Sequence, residues 1–327
     1  MAIITYREAV VRALDEEMAR DANVIFFGED VGKSGGVFKV TPGLYEKYGP
    51  LRVRDTPISE TAIIGAGIGA AITGLRPVVE LMFADFAAVA LDQIVNQAAK
   101  LRYMSGGQLK VPLTIRAAQG GGVGFGAQHS QCCETWFMHA PGLKVAVPSN
   151  PADVLGLLKT AIRDDNPVVF LEHKMQYAER GEVPDGEHLV PFGAARVVRE
   201  GADVTLVAVQ RMIAVALEAA EAVAEEGVSC EVIDPRTLVP LDMKTIIASV
   251  KKTSRLVTVE EAIHAGGWGA EVVTRVADEA IWHLDGPAVR VTMDGGIIPF
   301  SKPLEEHLIP DKARVIAAIR RALGESG

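Results

Sequence analysis

Short, unbroken apolar runs alternate with helix-length stretches along most of this chain, and the alternation occurs twice. In the first half the runs are VIFFGE (24–29), RPVVELMF (76–83), VPLTIRAAQ (111–119), LKVAVPS (143–149) and PVVFLEH (167–173). Strands that read as continuous apolar segments are buried on both faces, which indicates a parallel sheet covered by helices. A long helix is expected over 84–107, ending at Gly106-Gly107, and another over 151–165. From about 178 to 194 the pattern lapses into AERGEVPDGEHLVPFGA, polar and rich in Gly and Pro, which reads as a linker. The alternation then restarts with DVTLVAV, a helix over 211–226, CEVIDP, a helix over 242–250, RLVTVEE, a helix over 268–284 and VRVTM. The expected fold class is therefore α/β, with one domain over 1–178, a linker over 179–194 and a smaller domain over 195–327.

Composition narrows the function classes. The 327 residues carry a net charge of −9, with 49% hydrophobic and 23% charged residues, as in a globular chain with a sizeable core. An acidic chain without a Lys/Arg run lacks the footprint for nucleic acid, and no apolar run reaches membrane-spanning length. The N-terminal ITYREAVVRALDEEMARD has apolar residues at helical spacing and acidic residues throughout, unlike a signal or transit peptide. Three cysteines, two of them adjacent, do not make a disulfide framework, so a reducing, cytoplasmic compartment is expected.

Several motifs carry competing readings. IIGAGIGAAITGL (63–75) does not fit G-x-G-x-x-G, and no apolar strand leads into it. Its small residues at 62, 65, 66, 69, 70 and 74 make a smooth helical face that another backbone can approach, within this chain or from another subunit. GGGVGFG (120–126) lacks the Gly-Lys-Ser/Thr of a P-loop, but it follows a strand, and α/β proteins bind ligands at the carboxyl ends of their strands. GAQHSQCCETWFMHAPG comes next. A zinc or thiol site at His129, Cys132 and Cys133 would need a second ligand cluster or CxxC spacing, so the cysteines read as small apolar fillers. His139 stands just before Pro-Gly, where it can cap a helix end. His129 is the best placed histidine for acid–base work. Glu60, in DTPISE, reads either as a first-turn glutamate at a helix N-terminus or as a semi-buried carboxylate that bonds a ligand; spacing alone favours the former.

Blocks matching in order resemble a known family along essentially the whole chain. They are FFGEDVGKSGGVFKVTPGLYEKYG, RVRDTPISETAIIGAGIGAAITGLRPVVELMFADF, DQIVNQAAKLRYMSGGQ, AQHSQ, HAPGLKVAVPSNPAD and EVIDPRTLVPLD. They are similar to the β subunits of the E1 component of 2-oxo acid dehydrogenase complexes, including acetoin dehydrogenases. The resemblance implies a transketolase-like pyrimidine-binding domain followed by a transketolase C-terminal domain, and an α2β2 assembly with an α subunit and a second β subunit. It also implies thiamine diphosphate shared between α and β, Mg²⁺ held by α, and delivery of the acyl group to an E2 lipoyl acyltransferase. The chain has no GDG motif, which agrees with a diphosphate half supplied by another subunit.

Carried onto this sequence, the resemblance gives Glu60 the role of bonding N1′ of the aminopyrimidine, from where it promotes loss of the thiazolium C2 proton. Met82 and Phe86 would pack on the pyrimidine ring and exclude water. His129 would stand near the substrate and the lipoyl group, as proton donor or as a stabiliser of developing negative charge. A structural potassium ion, held mainly by backbone carbonyls, would involve Leu113, Ala161, Asp164 and Asn166. The match is weaker at VAVQRM, HAGGWGAE and TMDGGIIPF. Two alternatives remain beside 2-oxo acid decarboxylation: acetoin cleavage, and a chain that serves chiefly as an assembly module docking E2 through its C-terminal domain and acidic surface.

Overall fold

The computed structural model describes residues 1–293 and 295–325. The chain divides into two compact units, one of residues 1–119 and 136–192, the other of residues 120–135 and 193–327.

In chain order the first half contains β1 (Ala2–Thr5), α1 (Tyr6–Arg20), β2 (Val24–Gly28), α2 (Leu44–Tyr48), β3 (Val53–Asp55), α3 (Glu60–Ile72) and β4 (Arg76–Leu81). There follow α4 (Leu101–Met104), β5 (Thr114–Gln119), α5 (Glu134–Met138), β6 (Lys144–Ala146), α6 (Pro151–Arg163), β7 (Val168–His173) and β8 (Arg180–Val183). Within the first unit β6, β7, β5, β4, β2 and β3 lie side by side, all parallel. The uninterrupted apolar character of these strands is the reason: β5 and β7 are buried at every position.

Local signals set the flanking helices. Thr5 caps α1 with a full capping box, its hydroxyl accepting from the Glu8 amide at 3.2 Å while its own amide donates to the Glu8 carboxylate at 2.6 Å. Asn150 caps α6, and Pro151 occupies the first turn, where the missing N–H costs nothing. Both helices turn apolar faces inward, including Val10 and Leu14 from α1 and Leu155 and Leu158 from α6, into one core with β2 and β7.

One sequence expectation is corrected in this unit. The long helix over 84–107 is a 3₁₀ turn (Ala84–Ala88), a π-helical turn (Gln93–Ala98) and the short α4. Tertiary partners override propensity here: Thr61 donates to the Val89 carbonyl at 2.9 Å, and Gly142 presses against the Ala99 carbonyl. The segment read as a linker carries ordered structure of its own. β8 pairs antiparallel with β1, Val183 and Val190 are buried, and Glu187 bonds Lys159 at 2.7 Å.

The second unit contains β9 (Arg196–Arg199), β10 (Val204–Ala208), α7 (Arg211–Ala224), β11 (Cys230–Asp234), β12 (Thr237–Val239), α8 (Met243–Thr253) and β13 (Leu256–Ile263). It continues with α9 (Trp268–Ala280), β14 (Val289–Met293), α10 (Lys302–Leu308) and α11 (Lys312–Ala322). Its sheet runs β14-β13-β10-β11-β9, parallel except for β9 at the edge. α7 and α11 bury Ala216, Ala220, Val315 and Ile319 against it. No helix among the described residues is long and apolar enough to cross a membrane.

Candidate functional site

The turn after β3 leads directly into α3. Ser59 has extended backbone and makes no side-chain cap, so Glu60 opens the first turn. An acidic side chain at the positive end of a helix is electrostatically favourable. Glu60 is nonetheless only 7% exposed, and its carboxylate makes no hydrogen bond to another described residue. A carboxylate so little exposed and without a protein donor is open to a donor from a ligand or from water.

Its neighbours lack partners too. β2 and β4 pair with Gly28 opposite Glu80, so Glu29 emerges from the carboxyl end of β2 beside the end of β4. A Cβ at Gly28 would stand 2.8 Å from the Glu80 carbonyl, so the close strand approach requires glycine. Glu29 is half-buried, and one of its carboxylate oxygens is buried with no hydrogen bond. Burial first, then the charges of Glu60, Asp30 and Glu80, push its carboxyl above the usual carboxylate range. The Thr56 amide donates to the Gly28 carbonyl at 2.9 Å, and the Thr56 hydroxyl is likewise buried without a partner.

The apolar members lie on the neighbouring strand end. Met82 follows β4 directly and is 9% exposed, and Phe86 sits half-buried in the 3₁₀ turn, its amide donating to the Phe83 carbonyl at 3.0 Å. The Thr61–Val89 bond ties this turn to the first turn of α3, so Glu60, Met82 and Phe86 gather at one end of the sheet. The place is the one where open α/β sheets bind ligands. Behind it lies a buried charge cluster that the sequence did not reveal. Arg116 donates to Glu172 at 2.7 and 2.8 Å and to Glu80 at 2.6 Å, and the Tyr177 hydroxyl bonds Glu172 at 2.8 Å. Burial raises the Glu80 carboxyl against the opposing pull of Arg116.

α3 itself has two unlike faces. Gly67 packs inward, where a Cβ would come within 2.9 Å of Leu113 and 3.1 Å of Val79. Ala62, Ala66 and Ala70 instead line an open apolar cleft of about 430 Å³ with Ile25, Phe27 and Leu51. The smooth face expected from the sequence is thus the uncovered one, at Ala62, Ala66 and Ala70, and Gly67 belongs to the filled face.

His129 lies in the second unit, on the glycine-rich segment. It is half-buried, and its amide donates to the Gly126 carbonyl at 3.4 Å. The base of the loop is closed by a 3.2 Å bond from the Gly120 amide to the Gln131 carbonyl. Cys132 is half-buried, Cys133 and Cys230 are buried, and none of the three forms a disulfide among the described residues. Among the described residues no group of three or more His, Cys, Asp or Glu side chains gathers to hold a metal ion. His139 is exposed, one residue beyond α5.

Residues 2–179 match the family described as the transketolase pyrimidine-binding domain, and residues 193–315 the transketolase C-terminal domain. The chain is 47% identical to a mitochondrial pyruvate dehydrogenase E1 component subunit beta-2 of Oryza sativa subsp. japonica, over 98% of this chain and 86% of that protein. The chain belongs to the E1 β-subunit family of 2-oxo acid dehydrogenases. Other members are comparably close. The human pyruvate dehydrogenase E1 β subunit is 45% identical over 98% of this chain and 90% of its own length. The β subunit of acetoin:2,6-dichlorophenolindophenol oxidoreductase from Cupriavidus necator is 47% identical over 98% and 97%. Among solved structures, a split-gene transketolase described as an inactive beta4 tetramer superposes with a TM-score of 0.80 at 27% identity, covering 98% of both chains.

The E1 β family uses thiamine diphosphate, and the residues present fit its pyrimidine half. Glu60, Glu29 and Thr56 offer polar groups without partners, and Met82 and Phe86 offer an apolar wall. The positions carried over for potassium gather where α6 turns into β7. The Leu113 carbonyl accepts from the Val168 amide at 2.9 Å and the Ala161 carbonyl from the Asp164 amide at 3.2 Å, leaving each one lone pair. Asp164 and Asn166 are more committed. Asp164 accepts from Lys144 and from the Asn166 amide, its carbonyl accepts from Arg76 at 3.1 Å, and the Asn166 side-chain oxygen accepts from Arg102 at 2.7 Å.

Proposed function

We propose that this chain is the β half of an E1 enzyme that becomes active with an α subunit in an α2β2 tetramer. The enzyme decarboxylates a 2-oxo acid oxidatively and transfers the acyl group to the lipoyl group of E2. Bound thiamine diphosphate supplies the electron sink that decarboxylation requires. Glu60 bonds the aminopyrimidine at N1′ and holds the proton there. Met82 and Phe86 seat the ring and keep water out. His129 donates a proton, or hydrogen-bonds developing negative charge, during acyl transfer. The α subunit holds the diphosphate and Mg²⁺, for which this chain has no GDG motif.

The observation that carries the proposal is the unpartnered carboxylate of Glu60, 7% exposed, beside the unpartnered oxygens of Glu29 and Thr56. The uncovered small-residue face of α3, which begins at Glu60, supports a second chain next to the site. Potassium is proposed at the spare lone pairs of the Leu113 and Ala161 carbonyls, with Asp164 and Asn166 shaping the turn. E2 docking is assigned to the C-terminal unit.

A related reading, cleavage of acetoin, is favoured by the 47% identity to the Cupriavidus necator chain, equal to that of the plant pyruvate dehydrogenase subunit. The test is to reconstitute the α/β pair and assay pyruvate, branched-chain 2-oxo acids and acetoin with a dye acceptor. One preferred substrate is expected. Turnover of none of them contradicts the proposal.

A further inference from the structure

The glycine-rich segment that precedes His129 is fastened by two carboxylates. Gly121 donates its amide to Glu261 at 2.6 Å, and Gly122 and Gly124 donate theirs to the two oxygens of Glu305 at 2.8 and 2.9 Å. Glu305, on α10, is completely buried. Gly122 and Gly124 have φ of +93° and +73°, and backbone of this kind turns nearby amides toward one point, the geometry of an anion-binding nest. In this chain the anion is a side chain of the same unit. Gly121 has no room for a side chain either, since a Cβ would lie 2.9 Å from Ile309.

The fastening reaches the histidine through the backbone. The Gly126 carbonyl accepts the His129 amide, and the Gln131 carbonyl accepts the Gly120 amide, so the stretch between Gly124 and Gln131 is held at both ends. Hydrogen bonds to an ionised acceptor are roughly twice as strong as neutral ones, and a residue without a side chain can be fixed only through its backbone.

We propose that Glu305 is a positioning residue for His129, with Glu261 as a second anchor, and that GGGVGFG is a bracket rather than a cradle for a ligand. The two carboxylates hold three glycine amides, and through them the loop presents the imidazole in one place. The inference rests on the role given to His129 above.

The test uses the reconstituted α/β enzyme carrying Glu305→Ala, Glu305→Gln, His129→Ala and the Glu305→Ala/His129→Ala pair. Hydrogen exchange at 120–131 should rise roughly tenfold to a hundredfold in Glu305→Ala, the range for losing hydrogen bonds to a charged group, while exchange in α7 and α11 stays as in the wild type. The turnover number for acyl transfer to lipoyl-E2 should fall with that of His129→Ala, and the double variant should be no slower than His129→Ala alone. Glu305→Gln should fall between, because one amide oxygen replaces two carboxylate oxygens and its NH₂ group opposes a glycine N–H. This milder change also carries the test should the alanine variant not fold. Wild-type exchange and turnover in both Glu305 variants overturns the proposal, as does a double variant in which the two losses multiply. Wild-type turnover in His129→Ala overturns the role of the histidine and the proposal with it, whereas a slow His129→Ala beside a normal Glu305→Ala overturns the proposal alone.

Discussion

Replacing Arg116 with methionine should be the most informative single change in the first unit. The guanidinium is fully buried, with Glu172 at 2.7 and 2.8 Å and Glu80 at 2.6 Å. Methionine approximates its volume and leaves two carboxylates facing each other without a cation. Removing one partner of a buried ion pair typically costs about 3–5 kcal/mol. At roughly 2–4 °C per kcal/mol for a unit of this size, the melting temperature should drop by about 6–20 °C. The pH dependence has a definite sign. Burial already raises the Glu80 carboxyl, and Arg116 opposes that rise, so the substitution raises it further. A carboxyl whose folded pKa exceeds its unfolded value stabilises the fold at low pH and loses that contribution as pH rises through the folded value. The deficit of Arg116→Met should therefore be largest at pH 8 and shrink toward pH 5, as followed by thermal unfolding of both proteins across that range. A deficit below about 1 kcal/mol at pH 8, or one equal at both ends, refutes the reasoning. Because Glu80 stands two residues before Met82, the variant should also lose affinity for thiamine diphosphate once paired with α.

Gly142→Ala should destabilise by more than about 1 kcal/mol, since Gly142 has φ +107° and a Cβ there would lie 2.1 Å from the Ala99 carbonyl. Gly186→Ala, with φ +73° and nothing within 4 Å, meets only the backbone penalty and should melt closer to the wild type, which differential scanning calorimetry will resolve. Titration with a thiol reagent at pH 8 should modify Cys132 alone in the native chain and all three cysteines in denaturant. Cys133 and Cys230 are buried, and desolvation pushes the Cys230 thiol up to about 11.

The alternation of apolar runs and helices made the α/β class readable, because strands buried on both faces have a simple pattern. What it did not show are elements whose pattern is weak. β1, β8 and β9 are edge strands with mixed faces, and α10 is short with a single fully buried residue, Glu305. The 84–107 stretch misled because local propensity favours a helix while Thr61 takes the Val89 carbonyl and Gly142 packs closely on Ala99. Glu60, Met82 and Phe86 were named through family resemblance, since spacing alone made Glu60 an ordinary first-turn glutamate. Glu29 joins them only through the register that sets Gly28 opposite Glu80. Glu305 was out of reach of any local pattern, lying 183 residues from the glycine it holds.

On the function proposed above, Glu60 serves the cofactor rather than the fold. The most direct measurement is the rate of C2 hydrogen–deuterium exchange of thiamine diphosphate bound to the reconstituted tetramer, with Glu60 and with Glu60→Gln. Glutamine fits the same space but cannot hold the proton at N1′. Exchange should be slowed by roughly 10²–10⁴-fold in the variant, with tetramer assembly and E2 binding unchanged. Exchange within tenfold of the wild type, or loss of the tetramer in its place, would contradict it.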